Sequence, residues 1–388
     1  MKLFTLLGSA LGAVLLFGIV SSARVQEPQV QISASVEVVR LSVAVVNSTG
    51  GEVPPLSLED FRVYENGVLQ DVRLLHRPTD TPLRVALVFD ASPSMRPWRA
   101  TVQRTAVTFL AKLGRRGCPY VLPFSDGIGP GRWGRYTANN WREFLGRAPR
   151  GAGTSLYDAL IVALSQLATA DEMAIDASQP LREPAAADDR GASEPEPIAA
   201  VDPSEVTRAG LLASLARIVA EIVRNNPFTH IGNCDLRYVP TGAGDEDTLQ
   251  LPADESIKAV LLLSDGADTT SIATAQDAID AARLLNVPVF PVMLGNAGRD
   301  PALEELLAEI ARATGGLVTR DVSPTNLGDA YDRVLGYLRA SYVLVYNPAE
   351  PAESGGGAPG ASPQSWHEVR VELRRPLLRA IVRPGYYR

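Results

Sequence analysis

Between residues 84 and 340, short runs of continuously apolar residues alternate with segments of helical period. No other feature of the sequence restricts the fold as tightly. The runs are RVALVFD (84–90), PYVLPF (119–124), IKAVLLLSD (257–265), VPVFPVML (287–294) and GLVTRD (316–321). A strand that is apolar at nearly every position needs cover on both faces, which a parallel sheet sandwiched by helices provides. Pro97 pre-sets the first turn of a helix whose Trp98, Val102, Ala106, Phe109, Leu110 and Leu113 share one face. Further helices are expected at 155–169, 272–285, 300–313 and 325–339. The fold class is therefore α/β, a doubly wound and mostly parallel sheet over about 82–340.

The flanks read differently. Residues 36–46, VEVVRLSVAVV, are rich in β-branched side chains and stop at the turn signal 47–51. In FRVYENGVLQDVRLL, Asn66-Gly67 sits between apolar runs and suits a two-residue hairpin turn. Asn47-Ser48-Thr49 also fits a glycosylation acceptor, but the turn explains the asparagine. At the other end SYVLVYNP reads as a strand, and EVRVELR alternates with Val369, Val371 and Leu373 on one face. Neither flank is a comfortable domain alone, so 28–80 and 341–388 are expected to combine into one β-rich module. An insertion at about 170–256 breaks the βα rhythm. Its 171–200 stretch holds eight acidic and two basic residues among Ala, Pro and Ser, too little apolar surface to order itself, and is expected to be mobile. A helix is expected at about 203–225.

The chain begins with Lys2, an apolar run over 3–20 and Ser21-Ser22-Ala23, the pattern of an export signal cleaved after residue 23. An uncleaved anchor is the alternative, and membrane attachment follows only then. Otherwise the protein is expected in the periplasm or outside the cell, soluble or envelope-associated. The formal charge of −7 excludes a phosphate-tracking surface, so nucleic acid is not an expected partner. Only Lys2, Lys112 and Lys258 are lysines, which removes a lysine-rich membrane patch as well. Two cysteines, Cys118 and Cys234, allow one disulfide, and both fall on the amino-end side of the sheet.

The chemistry is concentrated beyond the strands' carboxyl ends, where open parallel sheets bind ligands. The first α/β strand runs into Asp90-Ala91-Ser92-Pro93-Ser94, the 257–265 strand delivers Asp265, and Gly151-Ala152-Gly153-Thr154 opens the helix at 155. Two carboxylates and three hydroxyls without His or Cys suit a hard cation, Mg²⁺ first, with Mn²⁺ or Ca²⁺ as alternatives. With the hydroxyls as direct ligands the ion stays electropositive, and a partner's Asp or Glu carboxylate can complete its shell. The bland alternative makes Asp90 and Asp265 helix caps and Ser92, Ser94 and Thr154 turn hydroxyls. Asp268 could add a ligand, although an exposed loop carboxylate is the reading preferred for it.

This constellation resembles the metal-ion-dependent adhesion site of von Willebrand factor type A domains, Asp-x-Ser-x-Ser with a distant Thr and a distant Asp. Asp90, Ser92, Ser94, Thr154 and Asp265 match its five positions. The LEDFRVYENGVLQDV hairpin, Gly-Thr-Ser-Leu-Tyr-Asp-Ala-Leu and the terminal Arg-Pro-Gly-Tyr-Tyr are similar to the branch called the VWFA-related acidobacterial domain, over about 36–388. The 170–256 insertion and Pro93 depart from that pattern; Pro93 removes no ligand oxygen. The resemblance implies a metal-dependent binding or adhesion protein, not an enzyme. Two other readings use the same site, a metal-assisted hydrolase and a scaffold whose metal ties loops together. A phosphatase needs a second carboxylate where Ser92 stands, and no general base is evident. His76, His230 and His367 are expected to be structural or exposed, and the glycine-rich 127–131 segment to be a loop. Trp98, Trp133, Tyr136 and Trp141 could serve either the rim of the site or the core.

Overall fold

The computed structural model describes residues 38–48, 53–77, 82–114, 117–134, 137–148, 151–168, 208–226, 256–295, 300–348 and 366–387. The expected signal segment, the acidic 171–200 stretch, Tyr136, His230 and Cys234 lie outside them. Cys118 is disulfide-bonded. Among the described residues no helix is long and apolar enough to cross a membrane.

The chain opens with β1 (Val39–Asn47), β2 (Phe61–Glu65), β3 (Val68–Gln70) and β4 (Val72–His76). Leu41 and Val43 of β1 and Val63 of β2 are fully buried while their neighbours in sequence reach solvent, the period-two pattern of a half-buried strand. Asn66 and Gly67 have φ of 49° and 81°, the left-handed pair a type I′ turn between β2 and β3 requires.

The α/β region follows with β5 (Leu83–Asp90), α1 (Arg99–Lys112), β6 (Gly117–Phe124), β7 (Arg132–Trp133), α2 (Ala138–Gly146), α3 (Leu156–Leu167) and α4 (Arg208–Asn225). It continues with β8 (Ile257–Ser264), α5 (Ala275–Leu284), β9 (Val289–Leu294), α6 (Pro301–Thr314), β10 (Thr319–Val322) and α7 (Leu327–Arg339). The sheet order is β10-β9-β8-β5-β6-β7, parallel except for the short antiparallel edge strand β7. Every residue of β5 is buried because the pleat feeds two cores. Ala86 and Val88 pack toward α3, α4, α5 and α6, while Val85, Leu87 and Phe89 pack toward α1, α2 and α7. Helices on both faces make the sheet doubly wound. The helix ends carry their own stop and start signals. Asp300 caps α6 by accepting from the Ala302 and Leu303 amides at 3.0 and 3.3 Å, and Gly315 ends it in the left-handed region.

The last strands are β11 (Ser341–Tyr346), β12 (Trp366–Leu373), β13 (Leu378–Ile381) and β14 (Gly385–Tyr387). They interleave with the first four in two antiparallel sheets, β13-β1-β11-β4 and β14-β12-β2-β3. Buried Glu65 links the two sheets, accepting from the Tyr346 hydroxyl at 2.8 Å and the Tyr386 hydroxyl at 3.1 Å, with the His367 ring nitrogen at 2.7 Å. His367 is thus structural. This β region lies at the amino ends of the parallel strands, where Arg40 and Ile381 share a cavity of about 420 Å³ with Ile257, Pro288 and Gly315. The carboxyl ends are left to the loops.

Among the described elements, β7, α2, β13 and β14 had no counterpart of their own in the sequence reading. Helix α2 is nine residues long, with Thr137 as its cap and only Trp141 and Leu145 buried, too few turns to show a period. Strand β10 starts at Thr319, later than expected, because Gly315 at φ 81° ends α6 and the next residues serve as connection.

Candidate metal centre

Strands β5 and β8 are neighbours in parallel register, with Phe89 opposite Leu263, so Asp90 and Ser264 end the two strands side by side and Asp265 follows. The chain leaves β5 for β6 on one side and later returns to β8 on the other. The crevice between these two strand ends is therefore the topological switch point of the sheet.

Four of the five expected site residues close into one hydrogen-bonded ring there. Asp90 accepts from the Ser92 amide at 2.7 Å and, through its other oxygen, from the Ser264 hydroxyl at 3.0 Å. The Ser92 and Ser94 hydroxyls are 2.9 Å apart, and Ser94 donates to Asp265 at 2.8 Å. Asp265 adjoins Ser264 in sequence, which completes the circuit. Pro93 opens a short 3₁₀ turn over Pro93–Met95 that sets the two serines on the same side of the loop. Thr154 is buried on a third loop, and its backbone hydrogen bonds go to the segment that follows Asp265 rather than to the ring itself. Its amide donates to the Thr269 hydroxyl at 2.9 Å, and its carbonyl accepts from the Thr269 and Thr270 amides at 2.8 and 3.3 Å. Gly153 permits this approach, since a Cβ there would meet Thr270 Cγ2 at 2.5 Å.

Burial raises the Asp90 carboxyl above its ordinary range, against hydrogen bonds from Ser92 and Ser264 and with the Asp265 charge adding to the rise. Burial raises Asp265 too, offset by the Ser94 hydrogen bond. Among the described residues no cationic side chain pairs with either carboxylate. Two such groups in one crevice disfavour their own charged forms and favour a bound cation. Among the described residues no group of three or more His, Cys, Asp or Glu is placed for a metal, so an ion here would draw on hydroxyls and water beside the two carboxylates. An all-oxygen donor set of this kind suits a hard divalent cation.

Helix capping belongs to other carboxylates. Asp268 accepts from the Leu156 and Tyr157 amides at 2.7 and 3.1 Å, which closes the amino end of α3 in place of the uncapped Ser155. Asp268 is therefore occupied as a cap, which sets aside its reading as an additional ligand. Asp158, buried in the first turn of α3, accepts in return from the Ile272 and Ala273 amides. Ser264, Asp158 and this role of Asp268 were missed. A serine at a strand end and acidic residues near a helix start look ordinary, and no local signal separates them. Trp98 and Trp141 are buried in the core, and Trp133 packs against Tyr120 with the rings tilted and donates to Gln166 at 3.0 Å, so these three do not form an exposed rim.

No family model matches the chain, and no curated protein does. Similar solved structures include proximal thread matrix protein 1 from the mussel byssus with a zinc-occupied MIDAS motif. It is 12% identical with a TM-score of 0.37, and the match covers 72% of this chain and 50% of that one. Another is the von Willebrand factor type A protein of Catenulispora acidiphila, 13% identical with a TM-score of 0.37, covering 84% and 72%. A third is the von Willebrand factor domain of the type V pili tip protein Mfa5 from Porphyromonas gingivalis, 16% identical with a TM-score of 0.32, covering 70% and 99%. This chain spans about half the length of the mussel protein. At these scores the fold rests on the strand order described above and the chemistry on the site itself.

Proposed function

We propose that this chain is an exported binding protein of the von Willebrand factor type A kind, with Asp90, Ser92, Ser94, Thr154 and Asp265 holding a divalent cation, Mg²⁺ before Mn²⁺ or Ca²⁺. One observation carries the reading: the ring that Asp90, Ser92, Ser94 and Asp265 close through Ser264 at the switch point of the sheet. Bound there, the ion would supply an electrophilic position for an Asp or Glu carboxylate of a protein partner. The side chains do the rest. Asp90 anchors the Ser92 loop to β8 through Ser264, Ser94 holds Asp265 in place, and the hydroxyls add donor oxygen without adding negative charge that would repel an incoming carboxylate. Among the described residues the ring's partners are hydroxyls and a backbone amide, an arrangement suited to capture of a ligand.

The same proposal carries a cleaved signal over residues 1–23, a binding domain over about 82–340 and a β-rich module from 28–80 and 341–388. That module faces away from the site, leaving the loops to choose the partner, with Ile272 43% exposed on one of them. The test is calorimetric Mg²⁺ titration of the wild type and Asp90→Ala, followed by capture of envelope proteins in Mg²⁺ and in EDTA. Saturable Mg²⁺ binding that Asp90→Ala abolishes, with partners released by EDTA, is expected. Equal Mg²⁺ affinity in both proteins would refute the site.

A further inference from the structure

The Thr154 loop and the Asp265 loop meet in a reciprocal arrangement that the five site residues do not include. Asp268, three residues beyond Asp265, accepts from two amides at the start of α3. Asp158, four residues beyond Thr154, accepts from the Ile272 amide with both oxygens at 3.1 Å and from Ala273 at 2.9 Å. Each carboxylate thus satisfies the backbone of the other's segment. Ser271 bridges them, donating its hydroxyl to Asp268 at 2.5 Å and accepting from the Asp158 amide at 3.1 Å. The Ser155 and Thr270 hydroxyls, 2.8 Å apart, close the remaining gap.

We infer that Asp158 and Asp268 are positioning residues for the metal centre, a two-carboxylate clasp that fixes Thr154 relative to Asp265 across more than a hundred residues of chain. The inference rests on the metal-binding reading above. Neither carboxylate is a ligand in this arrangement, because among the described residues each accepts its hydrogen bonds from backbone amides or the Ser271 hydroxyl. Ligand geometry depends on such outer partners, and their loss weakens metal sites by about 10- to 100-fold.

The experiment compares Mg²⁺ affinity, by calorimetry, in the wild type, Asp158→Ala, Asp268→Ala, the milder Ser271→Ala, and a control, Thr274→Ala. The control removes the capping box at the start of α5, where Thr274 and Asp277 bond reciprocally, and leaves the clasp intact. The clasp variants are expected to bind Mg²⁺ about tenfold or more weakly, while Thr274→Ala loses stability yet keeps its affinity. Asp268→Asn, which retains one acceptor oxygen, is expected to recover part of the loss. Wild-type affinity in clasp variants that fold, or an equal loss in Thr274→Ala, would overturn the positioning role.

Hydrogen exchange in chelator gives a second readout without metal. The Thr269 and Thr270 amides, which donate to Thr154, should exchange faster in the clasp variants. Unchanged protection would overturn the clasp whatever the metal data show. A wild type that binds no Mg²⁺ would overturn the metal reading and the positioning role together, with the exchange rates still reporting whether the loops are locked.

Discussion

Replacing Asp265 by Ala separates metal binding from folding. Its side chain is half-buried and receives a side-chain hydrogen bond from exposed Ser94 at 2.8 Å. Losing a hydrogen bond of this kind costs about 0.5–1.5 kcal/mol, and Ser94 can turn to water, so no buried donor is stranded. Removal also relieves the charge that Asp265 imposes on Asp90, which acts in the opposite direction. In EDTA the variant should therefore lie within about 1 kcal/mol of wild type. Metal changes this. A ligand at 100 times its dissociation constant stabilises the folded state by about 2.7 kcal/mol through mass action. Urea unfolding at that Mg²⁺ concentration should show the gain in wild type and less than about 0.5 kcal/mol of it in Asp265→Ala. Equal gains in both proteins would refute the assignment of Asp265. A loss above about 3 kcal/mol in EDTA would show instead that Asp265 is a structural residue.

Three further outcomes follow from the geometry. Gly153→Ala drives a methyl group into Thr270, so it should weaken Mg²⁺ binding about tenfold by displacing the Thr154 loop, read by calorimetry. Tyr346→Phe removes one of two phenolic donors to buried Glu65 and should cost about 1–3 kcal/mol in urea unfolding while leaving the Mg²⁺ gain intact, because the β region lies at the opposite end of the sheet. Arg375 holds the Asp60 carboxyl down to about 2 through bonds of 2.9 and 3.1 Å. A carboxylate with a lowered folded pKa contributes stability above its ordinary 3.8 and loses it as pH falls toward about 2. Asp60→Asn should flatten the urea midpoint over that window, and an unchanged acid limb would remove Asp60 from the account.

What the sequence determined by itself is the alternation of buried strands and amphipathic helices, because both-face burial leaves an unbroken apolar run that needs no knowledge of neighbours. The same run places Asp90 at a strand's carboxyl end, and Asn66-Gly67 declares its turn through backbone preference alone. Tertiary structure decided the rest. That β5 lies beside β8 rather than at an edge, and that β1 pairs with β11 some 300 residues later, follows from which apolar faces find each other, not from local propensity. The Asp158 and Asp268 clasp was illegible for the same reason: a carboxylate near a helix start has the same local preferences whether it caps its own helix or a loop over a hundred residues away. Only packing brings those amides within reach, and once they are buried, each must find an acceptor, which is why these two side chains hold the positions they do.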